Sequence, residues 1–77
     1  MATLNCRFSG NKISASITNN DGKNGTYSFS CVYNTDGGGT NTLSGSATVN
    51  DGATVSVGEN TLTQKVIGLK SSSLKPL

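Results

Sequence analysis

Tyr27-Ser28-Phe29-Ser30-Cys31-Val32-Tyr33 is the stretch whose reading decides the fold class. Successive side chains of a strand point to opposite faces, so Tyr27, Phe29, Cys31 and Tyr33 share one side, against Ser28, Ser30 and Val32 on the other. Three of the four aromatic residues stand on that apolar side. This strand is therefore the expected centre of the core.

The same alternation continues outward in both directions. Leu4, Cys6 and Phe8 alternate with Asn5 and Arg7, Ser9-Gly10-Asn11 turns the chain, and Ile13, Ala15 and Ile17 alternate with Ser14, Ser16 and Thr18. The segment from Asn19 to Gly25 holds an Asp-Gly and an Asn-Gly pair, which readily take positive φ and read as a loop. Downstream, Asp36-Gly37-Gly38-Gly39 is a flexible turn. Leu43, Gly45, Ala47 and Val49 then alternate in a fourth strand, where Gly45 reads as a bulge or a close approach of another backbone. Asn50-Asp51-Gly52 turns, Val55 and Val57 mark a short fifth strand, and Gly58-Glu59-Asn60 reads as another turn. Leu62 through Leu69 carries the last apolar material, with Val66 and Ile67 adjacent rather than alternating. These elements predict one β domain over residues 1–70 and a disordered tail over residues 71–77.

Asp21, Asp36 and Asp51 each precede a glycine at a spacing of 15 residues. That is the period of one strand plus one turn in an antiparallel meander or Greek key. Five or six strands and no helix are expected. A chain of 77 residues has room for one modest core. Such strands close their apolar face as a small antiparallel β-sandwich, immunoglobulin-like, with a small β-barrel as the alternative.

Composition bounds the function. The chain is polar through Ser, Thr, Asn and Gly, with charged residues at only 13% and a formal net charge of +2. Arg7, Lys12, Lys23, Lys65, Lys70 and Lys75 are scattered, so no nucleic-acid footprint is expected. No run approaches the roughly 18 apolar residues of a membrane span, and no membrane insertion is expected. The Thr/Asn/Ser/Gly bias is like that of an exported bacterial domain whose leader is replaced by Met1, and a periplasmic or extracellular location is expected.

The chain has no histidine, which removes the commonest general base, the commonest metal ligand and every Ser-His or Cys-His nucleophile. Asp21, Asp36, Asp51 and Glu59 all fall in predicted turns, where solvent keeps a carboxylate ordinary, whereas acid/base pairs need contrasting, partly buried surroundings. Hard cations want six to eight oxygens from a dense ligand loop, and none of these turns supplies one. No enzyme activity, metal or cofactor is expected. Cys6 and Cys31 both lie on inward faces and could meet: the two readings are a disulfide closing a loop of about 25 residues and a pair of buried thiols packing as small hydrophobes.

Gly25-Thr26-Tyr27-Ser28-Phe29-Ser30, Gly37-Gly38-Gly39-Thr40-Asn41, Leu43-Ser44-Gly45 and Gly52 together resemble the middle of the small immunoglobulin-like curli chaperones of the CsgH type. The likeness covers residues 22 to 62, and the early Cys6 fits it. The sequence departs from that family after Leu62, where the family continues into further strands, and at Cys31, which stands mid-chain. The resemblance implies a periplasmic protein, without an active site, that keeps amyloid subunits soluble through transient contacts on a polar strand; a monomer is expected. Thr40, Asn41, Thr42, Ser44, Ser46 and Thr48 are the candidate binding residues. Two further readings are a structural or adhesive β module of a bacterial or phage surface assembly and a small carbohydrate-binding module.

Overall fold

The alternating segments become six antiparallel strands in a computed structural model that describes residues 1–77: β1 (Thr3–Ser9), β2 (Lys12–Thr18), β3 (Gly25–Thr35), β4 (Thr40–Val49), β5 (Thr54–Thr61) and β6 (Val66–Pro76). They form two three-stranded sheets, ordered β1-β2-β5 and β4-β3-β6. The central strands carry the core: Ile13, Ala15 and Ile17 of β2 and Tyr27, Phe29, Cys31 and Tyr33 of β3 are all buried. In immunoglobulin lettering the two sheets are A-B-E and C′-C-F, with no D or G strand. The protein is an immunoglobulin-like β-sandwich, as the alternation predicts.

Local chemistry sets the corners. Gly10 takes a φ of 61° in the two-residue link between β1 and β2, a conformation glycine enters without a Cβ penalty. Cys6 and Cys31 are bonded, with Cα atoms 5.9 Å apart. Since β1 and β3 belong to different sheets, this disulfide ties the two layers together. Beside it the Phe8 ring stands edge-on to Tyr33, centroids 6.3 Å apart. Only 12 of 77 residues are buried, so a covalent tie across the layers carries a large share of the stability of a thin core.

Three expectations are corrected. Residues 71–76 are not a disordered tail but the second half of β6, with Ser71 opposite Val32, Leu74 opposite Phe29 and Pro76 opposite Tyr27. Their serines give no apolar period because β6 is an edge strand exposed on both faces from Leu69 to Ser73. Gly58-Glu59-Asn60 is not a turn: β5 runs through it to Thr61, and Val57 is the extra residue of a bulge between Ser56, opposite Ser16, and Gly58, opposite Ala15. Gly45 is neither a bulge nor a backbone approach. The β3–β4 register is unbroken there, and a Cβ on Gly45 would lie 3.3 Å from Cε1 of Phe29, so it is a ring that occupies the space. The adjacent Val66 and Ile67 have a similar origin, because Ile67 is the extra residue of a bulge in β6.

Candidate functional site

β4 pairs with β3 through ten consecutive positions, from Thr40 opposite Asn34 to Val49 opposite Gly25. Its alternation sends Thr40, Thr42, Ser44, Ser46 and Thr48 to the outer face, all exposed, and Leu43, Ala47 and Val49 toward the core. Asn41 has the parity of Leu43 and is half-buried, so it does not share the outer face with the other five candidate residues.

Three of the five hydroxyls continue across the sheet, while Thr42 stands opposite Val32 and Thr40 opposite Asn34. Thr48 stands beside Thr26, Ser46 beside Ser28, and Ser44 beside Ser30, which in turn is opposite Ser73 of β6. Thr26 Oγ1 and Thr48 Oγ1 are 3.0 Å apart and hydrogen-bonded. Around Ser44, Ser46 and Thr48 the outer face is thus a lattice of short hydroxyl side chains, with Val32 beside Thr42 as its apolar member.

What sets β4 apart is its edge. It pairs with β3 on one side only, so alternate backbone N–H and C=O groups on the other side face outward. Natural edges are blunted by charge, proline or bulges. Of the other edge strands, β1 carries Arg7, β5 carries Glu59 and a bulge, and β6 carries Lys70, Lys75, Pro76 and two bulges. β4 has none of these in ten residues. Beneath it the flank is closed by Leu43, whose Cδ1 would lie 3.2 Å from a Cβ on Gly58 of β5.

The loops at one end of β4 are locked by a residue that strand alternation did not single out. Asn19 is fully buried, and its Nδ2 donates to the carbonyls of Val49 and Lys23, each at 2.8 Å. Its Oδ1 accepts from the Asp21 amide at 2.9 Å, while its own amide donates to Ala53 O and its carbonyl accepts from Gly52 N. One side chain therefore joins the β2–β3 loop to the end of β4, satisfying every polar atom that its burial removes from water. The Tyr27 hydroxyl donates to Asp21 Oδ2 at 2.6 Å. That bond holds the Asp21 carboxyl below its ordinary range and pushes the Tyr27 phenol up to about 12. Asp21 thus differs from the ordinary solvated turn carboxylate expected from the sequence.

The opposite flank, between β1 and β6, is less fully closed. Phe8 of β1 and Leu69 of β6 both adjoin Tyr33, one by its ring and one by strand register, yet each is 43% exposed. Fold and edge define an immunoglobulin-like sandwich, cross-linked between its layers, with one open and unguarded strand. Comparison with family models, curated proteins and solved structures finds no match.

Proposed function

We propose that the protein is a non-enzymatic binding domain that engages extended protein segments along β4, acting in the periplasm or outside the cell as a chaperone or inhibitor of curli-type amyloid assembly. The observation that supports this most is the ten-residue β4 edge without charge, proline or bulge. Amyloid grows by adding strands to exposed edges. A folded domain offering a regular edge can cap a growing end by main-chain pairing, and its outer face, mostly hydroxyl with Val32 as its apolar member, gives the next strand little apolar surface to stack on. The disulfide is of the kind that persists in oxidising compartments, in keeping with that location.

The test is the thioflavin-T time course of a purified curli subunit, with this protein well below one equivalent and an unrelated β domain of similar charge as control. A long delay in fibre growth supports the reading, and an unchanged curve sinks it. A second reading, a structural or adhesive module of a surface assembly, is favoured by one observation: Phe8 and Leu69 are half-covered on the flank where an immunoglobulin sandwich would carry its G strand. A neighbouring chain packed side chain to side chain on this flank, without extending the β6 ladder, would cover both.

A further inference from the structure

We infer that β4 also pairs with β4 of a second copy, antiparallel about a two-fold axis, giving a dimer with one continuous six-stranded sheet. The inference rests on reading β4 as a recognition edge and adds a partner for it. The argument is one of self-complementarity, which a two-fold interface requires because the same patch meets itself.

In an antiparallel pair the outer face stays outer only if residues of the same parity stand opposite one another. Two central registers satisfy this. In one, Ser44 faces its own copy, Thr42 faces Ser46, Thr40 faces Thr48, Leu43 faces Gly45 and Asn41 faces Ala47. In the other, Gly45 faces its own copy, Ser44 faces Ser46, Thr42 faces Thr48, Leu43 faces Ala47 and Asn41 faces Val49. Both place hydroxyl against hydroxyl outside, and both set Leu43 against a small residue inside. This molecule already makes cross-strand hydroxyl pairs of that type, Thr26 with Thr48 at 3.0 Å and Thr18 with Thr54 at 2.8 Å. No like charges oppose, since β4 has no charged residue. The other edges lack this match. β6 would bring Lys70 and Lys75 of both copies to one seam, and its bulges at Ile67 and Lys70 interrupt a straight ladder.

The monomer expected from the sequence is thereby replaced by an equilibrium in which self-pairing covers the same backbone groups that an amyloid end would use. An edge pairing buries less than the standard interface of about 1,600 Å², so a half-point on the order of 10–100 µM is expected.

Sedimentation equilibrium of the disulfide-bonded protein from about 1 µM to 1 mM tests this. The expected mass rises from one chain to two. Ser44→Lys and Ser44→Glu, on the exposed face, are each expected to remain single chains, and their equimolar mixture to recover two, a rescue that simple destabilisation cannot produce. In parallel, amide exchange of the unmutated protein is expected to slow with concentration at Thr40–Val49 alone. A protein that stays a single chain at the highest concentration overturns the inference, as does a Ser44→Lys variant that dimerises like the original or exchange on β4 that ignores concentration. The thioflavin-T assay separates the two readings. A delay caused by a strictly monomeric protein leaves the chaperone standing without the dimer, and a dimer that causes no delay leaves the dimer standing without the chaperone.

Discussion

Strands β4 and β6 flank the same central strand, yet β6 is defended by Lys70, Lys75, Pro76 and two bulges while β4 runs ten residues with none of these. Their packing differs in the opposite sense. Under β4, Leu43 sits against Gly58 and Phe29 against Gly45, so that a Cβ at either glycine would crowd a side chain at 3.2–3.3 Å. Under β6, Leu69 is 43% exposed and nothing lies within 4 Å of a Cβ built on Gly68. The tightly packed edge is thus the one with an open backbone, and the loosely packed edge is the one guarded against pairing. A rigid strand loses little conformational entropy when a partner adds to it, which suits β4 to recognition.

The largest break in this comparison comes from the covalent tie on the β6 side. Replacing Cys6 and Cys31 together by serine removes a constraint spanning 25 residues, a loss of about 3–4 kcal/mol on the chain-entropy account. The urea midpoint of the variant, compared with that of the disulfide-bonded wild type, measures it; the reduced wild type should resemble the variant. Asn19→Ala comes next. It strips the carbonyls of Val49 and Lys23 of a buried donor, and about 2–3 kcal/mol should disappear from the unfolding free energy. Because Val49 ends β4, amide exchange in Asn19→Ala should quicken in β4 before β6.

The glycines sharpen the comparison further. Gly45→Ala puts a methyl 3.3 Å from the buried Phe29 ring and should cost about 1 kcal/mol. Gly68→Ala, in the open space under β6, should be neutral or stabilising by about 0.5 kcal/mol, because alanine reduces the freedom of the unfolded chain. Equal effects at the two sites in thermal melts would refute the difference in packing.

Tyr27 lies opposite Ala47 of β4 on one side and Pro76 of β6 on the other, so its titration acts on both edges. Its folded phenol, raised to about 12 by the bond to Asp21, binds a proton more tightly than the unfolded phenol near 10. The stability this contributes is complete below pH 10 and is lost as pH rises from 10 toward 12. Asp21 has the reverse sign: its lowered folded value contributes stability above the ordinary aspartate range, which is lost as pH falls through that folded value. Melting temperature against pH should therefore fall at both extremes. Tyr27→Phe should flatten the alkaline limb only partly, since burial also raises Tyr33.

Much of this architecture was legible because burial in β2 and β3 follows strict alternation. The inward sets of these two strands, Ile13, Ala15 and Ile17 with Tyr27, Phe29, Cys31 and Tyr33, are buried as the period predicts, whereas Phe8 of β1, read as inward by the same rule, is 43% exposed; of the two readings of Cys6 and Cys31, the disulfide is the one present. What was hidden lies where one face of a strand has no reason to be apolar. Ser71, Ser72 and Ser73 belong to a strand, but at a sheet edge their chemistry matches that of a tail. The bulge at Val57 broke the period of β5, and Gly58-Glu59-Asn60 then looked like a turn. Asn19 is buried by loop geometry rather than by alternation, so no strand pattern could reveal its role. The candidate residues on β4 were named from polarity, yet the property that distinguishes β4 is a missing guard on an edge. That can be recognised only when strand order is known.

The smallest expected effect bears most directly on what the guards do. In Lys70→Ser with Lys75→Ser, β6 loses its charges but keeps both bulges and Pro76, and these exposed changes should move stability by less than about 0.5 kcal/mol. If the bulges suffice, the doubly substituted protein should still stop at two chains in sedimentation, because residues extruded at Ile67 and Lys70 leave no straight ladder for another strand. Growth beyond two chains would mean that charge alone kept β6 closed. Each molecule would then add at both edges of the same sheet, with β4 pairing to β4 and β6 to β6, and the closed dimer would become an open chain. The contrast between the edges would then reduce to two lysines, and β4 would be open simply because it lacks them.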